Sequence, residues 1–312
     1  MRPTGRLAAR GVTHPIATPA ENMRPPRCVS PSTRPLVTAV GTRWVRISAS
    51  LFAVFWGYLF YGLIDLLVPL GDPTFHQSLL LETGWGLVFV VLVAAPLVAA
   101  VVRPGAVLSV GLQQLFLVGG AVAVAAVIAA SPRHLLITIG LLATVLVIAR
   151  GHVRSLLNPS HRWSWPAGAL VVAAAIPWFT YAQTATSAYR DERPPVDVTW
   201  VFDHWPIQAA LPIALVLVAA LAASFTPCWI VPTWCTGVCA AWIAVVSWFE
   251  PALPASLGRA WALTAFAWAT AFIATMHITA HSRTRRTTTA IHHQSGACSL
   301  PTASQPQSAE SR

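Results

Sequence analysis

Between residues 47 and 280 the chain alternates long, almost unbroken apolar runs with short polar breaks. The runs lie near Ile47 to Leu67, Gly84 to Val102, Ala106 to Ala130, His134 to Ala149, Trp165 to Ala185, Pro206 to Ser224, Cys228 to Phe249 and Leu257 to Ala280. A bilayer's hydrocarbon core, about 30 Å thick, takes about 20 helical residues to cross. Lipid leaves only helices and closed barrels as ways to satisfy the backbone, and continuous apolarity, unlike strict alternation, selects helices. The pattern therefore predicts an all-α fold, a polytopic transmembrane bundle of about eight spans. The fourth run has 16 residues, so it reads either as a short span or as a re-entrant segment.

The flanks lack this periodicity. Residues 1–44 read as a disordered Arg/Pro-rich tail, 45–281 as the transmembrane domain and 282–312 as a second disordered tail. No cleavable leader pattern precedes the first run, and Met23 offers a second start.

Composition agrees with the pattern: 55% of residues are hydrophobic, 10% are charged, and mean hydropathy is +0.62. That is too little charge to cover a soluble fold of 312 residues. The net charge of +10 comes from arginines in tails and short loops. No folded basic face results, so nucleic acid is excluded as a partner and the lipid bilayer is the expected one. Other membrane subunits stay open.

With both termini on one side, sixteen arginines fall on that side and four on the other. Counting only from Arg34 onward leaves eleven against four. The positive-inside rule then places both termini in the cytoplasm of a bacterial plasma membrane. Acidic residues fall on the opposite face: Asp72, Glu82, Asp191, Glu192, Asp197, Asp203 and Glu250 lie in its connectors.

Candidate chemistry is sparse. Ionisable groups within a bilayer are costly and mark function, yet Asp65 is the only acid inside a run. It follows Arg46 by 19 residues, about 28 Å of helix, which puts it at the outer interface near water. The segment YRDERPPVDVTWVFDHWPIQ, Tyr189 to Gln208, is the densest polar stretch. Asp203 is expected to cap the sixth run with Pro206 in its first turn, and Trp200 and Trp205 to sit at the interface. His204 and Gln208, four apart, share a helix face directed into the bundle, suited to a cation, a proton or a polar headgroup.

A metal centre needs three or four ligands, and Asp65, His76, Asp203 and His204 are the available set, but spacing alone brings no such set together. Gln113 and Gln114 suit cross-helix hydrogen bonds. Cys228, Cys235 and Cys239 line one face of the seventh run as packing residues, and with Cys28 and Cys298 in the tails the odd count gives no disulfide framework. His277 and His281 are spaced four apart near the end of the eighth run, too few for a site. Pro96, Pro177, Pro212 and Pro232 interrupt four runs, a feature of transporter sites as well as of plain kinks. No phosphate-binding loop, nucleotide fingerprint, nucleophile elbow or zinc-protease pair occurs, so neither a catalytic residue nor a cofactor is expected.

Two stretches, DHWPIQAAL from Asp203 and SLGRAWALTAFAWATAFIA from Ser256, resemble a family of uncharacterised multi-pass membrane proteins of high-GC bacteria. The resemblance covers the C-terminal third and implies no activity. It directs attention to Asp203, His204, Trp205, Pro206, Gln208, Arg259 and Trp261, with Glu250 or Asp203 expected to neutralise Arg259. The candidate outer-face site is thus Asp65, Asp203, His204, Gln208 and Arg259. Three functional classes remain: a small-solute permease or channel, a non-catalytic accessory subunit, and an enzyme acting on a lipid-linked substrate.

Overall fold

The computed structural model describes residues 41–150, 163–194, 198–199, 202–226 and 228–297. Residues 1–40 of the predicted N-terminal tail, Asp197 and Trp200 lie outside them, and residues 42–44 of that tail already belong to the first helix. Among the described residues the molecule is a helical bundle, with seven helices long and apolar enough to cross a membrane. It is a multi-pass membrane protein.

The predicted first span is present but broken. Helix α1, Thr42–Val54, widens into a π-helical turn, Phe55–Leu59, and stops where Tyr61 takes a left-handed φ of 63°. Helix α2, Gly62–Gly71, follows in a new direction. Its 10 residues and the 13 of α1 each fall well short of a crossing. The next span begins earlier than its apolar run does. It opens with a 3-10 turn, Pro73–Ser78, capped by Asp72, whose carboxylate accepts from the Thr74 backbone N–H. It continues as α3, Leu79–Gly86, a π-helical stretch, Leu87–Ala94, and α4, Ala95–Val102.

Helices α5, Pro104–Ile128, and α6, Pro132–Ala149, follow the predicted third and fourth spans. Both open on proline, which suits a first turn whose N–H groups have no helical partner. Helix α7 is Trp165–Arg190. A two-residue ribbon pairs β1, Val198–Thr199, with β2, Phe202–Asp203. Helices α8, His204–Ala223, and α9, Ile230–Phe249, come next. Helix α10, Gly258–Ala297, runs past the predicted end of the eighth span, since neither glycine nor proline interrupts residues 259–295.

Two expectations about these helices fail. Pro232 lies in the first turn of α9 and so kinks nothing. Cys228 precedes that helix with a φ of 64° and packs by Val107 and Val110, so it shares no helical face with Cys235 and Cys239.

Helix α8 is central, 83% of its apolar window being buried, whereas α10 at 28% is peripheral. Exposed Ile47, Leu51, Leu136, Ile139, Val172 and Ile176 give the outer helices an apolar surface. The connectors gather at two ends. At the arginine-rich end, the Trp44 indole donates to the Val147 carbonyl, Arg150 lies 4.2 Å over Trp44, and Arg283 donates to the Trp163 carbonyl. At the opposite, acidic end, His76 lies 3.7 Å from Glu250, Tyr189 donates to Ser131 and Tyr181 donates to the Ala255 carbonyl.

Candidate functional site

The acidic end holds a cluster of ionisable side chains sunk below its surface. Asp65 comes from the first turn of α2, Glu82 from α3 and His204 from the first residue of α8. One ligand-type atom from each lies within 4.8 Å of the others. Both carboxylates are 4% exposed and the imidazole is 0% exposed. His204 Nε2 stands 3.6 Å from Asp65 Oδ2, beyond the length of an ordinary hydrogen bond.

The broken first span creates this arrangement. A continuous helix would carry Asp65 to the end of the bundle and into water, as its spacing from Arg46 suggests. The left-handed turn at Tyr61 instead redirects α2 against α3, and the carboxylate is buried. Close backbone approach holds the two helices: a Cβ on Gly86 would meet Leu66 Cβ at 2.6 Å and the Gly62 carbonyl at 2.8 Å. Trp85 ties the break down from α3, donating from its indole to the Phe60 carbonyl at 3.1 Å. The Trp85 ring lies 4.7 Å from that of His204 and shields the cluster on that side.

Glu82 was expected in an outer connector. It is interior because helical structure begins at Pro73 and buries Leu80 to Gly86 together. Leu79, Leu80 and Leu81 before Glu82 and Trp85 after it are the local trace of that burial, too short to extend the apolar run on their own. An acid flanked so closely by large apolar residues lies on a helix packed on all sides.

Asp203 is next to the cluster in sequence but has another task. Its Oδ1 accepts from the Trp205 N–H at 2.8 Å, capping α8 as the sequence predicts. Its carbonyl receives His134 Nε2 at 2.8 Å. A carbonyl only accepts, so Nε2 carries the proton and Nδ1 accepts from the Ser131 hydroxyl, 2.7 Å away. Tyr189 donates to that hydroxyl in turn. This directed chain fixes the start of α8, and with it His204, although His134 reads in the sequence only as the beginning of a span. Trp205, expected at an interface, is buried in the core at 4% exposure.

Gln208 is fully buried one turn along α8. Its Nε2 donates to the Tyr181 hydroxyl at 2.5 Å, and that hydroxyl donates to the Ala255 carbonyl at 2.6 Å. Gln208 Oε1 rests on Gly84, where an added Cβ would lie 1.8 Å from it. Tyr181 also faces a groove of about 830 Å³ between α7 and α10, lined largely by apolar residues including Trp178, Trp205, Trp261 and Trp268, with Arg193 at one end. Gln208 and Tyr181 thus form the wall between this groove and the interior that holds the cluster.

Of the five candidate residues, the structure joins Asp65 to His204 and places Gln208 one turn away. Asp203 is a cap, and Arg259 stands exposed in the first turn of α10. Glu250 lies by His76 instead of neutralising Arg259. His76, the remaining candidate ligand, is therefore at the surface and away from the buried group. Gln114 donates to the Leu92 carbonyl at 2.9 Å, supplying a partner to the π-helical stretch.

No protein-family model, curated protein or solved structure matches this chain. Its functional reading rests on its own residues.

Proposed function

We propose that this protein is a small-solute permease of the bacterial plasma membrane in which Asp65, Glu82 and His204 take up a cation or proton during transport. The burial of two carboxylates and an imidazole together, beside a broken helix, carries the reading. Charges held this far from water need compensation, and in membrane proteins such groups line ion and proton pathways. Interrupted helices supply the local freedom and the backbone groups that transporter sites use. The arginine asymmetry supports cytoplasmic termini, which turns the acidic end and its cluster outward.

A non-catalytic accessory subunit has no need of buried ionisable groups, and the three in this cluster speak against that reading. One observation favours the enzyme reading: the aromatic groove reaches Tyr181 from the side of the bundle and could admit a lipid chain. Among the described residues its lining includes no carboxylate and no histidine.

The test is flux into proteoliposomes containing the full chain. Proton movement is followed with an entrapped pH dye, alongside uptake of labelled amino acids, sugars and organic cations. Wild type is expected to carry flux above empty vesicles, and Asp65→Asn and Glu82→Gln to lose most of it. Wild-type flux indistinguishable from empty vesicles, or flux unaltered by both substitutions, defeats the proposal.

A further inference from the structure

We propose that Asp65, Glu82 and His204 bind one first-row divalent transition-metal ion, of the zinc, manganese or cobalt class. The inference rests on reading the cluster as a cation site and identifies the cation. Two carboxylates and one imidazole are hard-to-borderline donors, the set that such ions accept and that cuprous copper, which prefers sulfur, does not. Calcium takes six to eight oxygens, roughly, and magnesium keeps several waters, so three protein ligands with only two carboxylates serve both poorly.

Geometry points the same way. Tetrahedral ligands at about 2.0 to 2.1 Å from a zinc ion stand about 3.4 Å from one another. His204 Nε2 and Asp65 Oδ2 are 3.6 Å apart, too far to hydrogen-bond and close to that ligand-to-ligand spacing. All three ligand atoms lie within 4.8 Å of one another, so side-chain shifts on the order of 1 Å bring them to that spacing. A divalent ion would balance the charge of two ionised carboxylates. Three protein ligands leave a fourth position open, the arrangement of sites that exchange or activate what they bind. His204 is well placed to be a ligand, because capping by Asp203 and the bond from His134 to the Asp203 carbonyl fix the turn that carries it.

The test is metal binding by the full chain, purified in detergent through a tag without histidine and stripped with chelator. Cobalt(II) is titrated and followed by its visible absorption, then displaced with zinc. Wild type is expected to take up one equivalent, with a rise in its thermal midpoint, and calcium is expected not to compete. Asp65→Asn, Glu82→Gln and His204→Gln should each weaken binding about 100-fold or more, beyond the roughly 10- to 100-fold cost of losing an outer-shell partner. His76→Ala and His281→Ala, which alter surface histidines, should bind as wild type does.

Binding that survives all three cluster substitutions, or that is lost with His76→Ala or His281→Ala, overturns the proposal. So does the absence of any metal-dependent spectrum or thermal shift in wild type, a measurement independent of how well the variants fold. Proton-coupled flux without metal binding would sink the metal site and leave the permease. Metal binding without any flux would do the reverse.

Discussion

At the scale of single residues, the wall made by Gln208 and Tyr181 is a sharp test of packing. Tyr181→Phe removes the hydroxyl between Gln208 Nε2 and the Ala255 carbonyl, leaving the buried amide and the half-buried carbonyl each short of a partner. Thermal or denaturant unfolding in detergent should show a loss of roughly 1 to 3 kcal/mol. Gly84→Ala attacks the same point from α3, since the new methyl must displace the Gln208 amide. It is expected to destabilise by about 1 to 3 kcal/mol, and by much less when combined with Gln208→Ala, because the clash is then gone. The i, i+4 spacing of His204 and Gln208 was legible because a shared helix face follows from sequence alone. Glu82 was not legible, because the hydropathy window starts the second span after it and only the helical turn at Pro73 brings it inside. Tyr181 and His134 were missed for a related reason: the partners that give them their roles, Gln208 and Ala255 for Tyr181 and Asp203 for His134, lie 27 to 74 positions away along the chain.

At the scale of elements, the sequence predicted the helices and most of their termini, but not the early start of the second span, the long continuation of the last or the break in the first. The stretch FWGYLFYG is as apolar as its neighbours, and its two glycines do not by themselves stop a membrane helix. The break is decided by tertiary partners: the indole of Trp85 takes up the Phe60 carbonyl and α2 folds against Gly86. Gly86→Ala should therefore be markedly destabilising, since its Cβ would meet backbone atoms of Gly62 and Leu66 that cannot swing aside. Gly120→Ala is the matched control. Nothing lies within 4 Å of a Cβ there, and relief of glycine's helical penalty should make it neutral or stabilising by up to about 1 kcal/mol. A difference in thermal midpoint between the two variants checks this, and equal effects would remove the close approach from the account.

At the scale of the molecule, the alternation of connectors between an arginine-rich and an acidic end was legible throughout, because span length and charge bias are properties of composition. Which end meets the cytosol is open to direct measurement. In a chain with Cys28 and Cys298 replaced by serine, the other three cysteines are buried and should stay silent. Asp72→Cys should then react with an impermeant maleimide added to intact cells, and Arg150→Cys should react only after lysis. The reverse result inverts the map. The glycine contact between α2 and α3 has a mechanical consequence as well. Asp65 and Glu82 ride on helices whose backbones touch, so they move as one piece, whereas His204 belongs to α8 and is anchored through His134 to α6. A motion that parted Asp65 and Glu82 from His204 would have to break the contacts of Gly84 with Gln208 and of Trp85 with His204, leaving both oxygens on one side and the nitrogen on the other. The packing of α8 on α3 is thus what holds the nitrogen against the two oxygens.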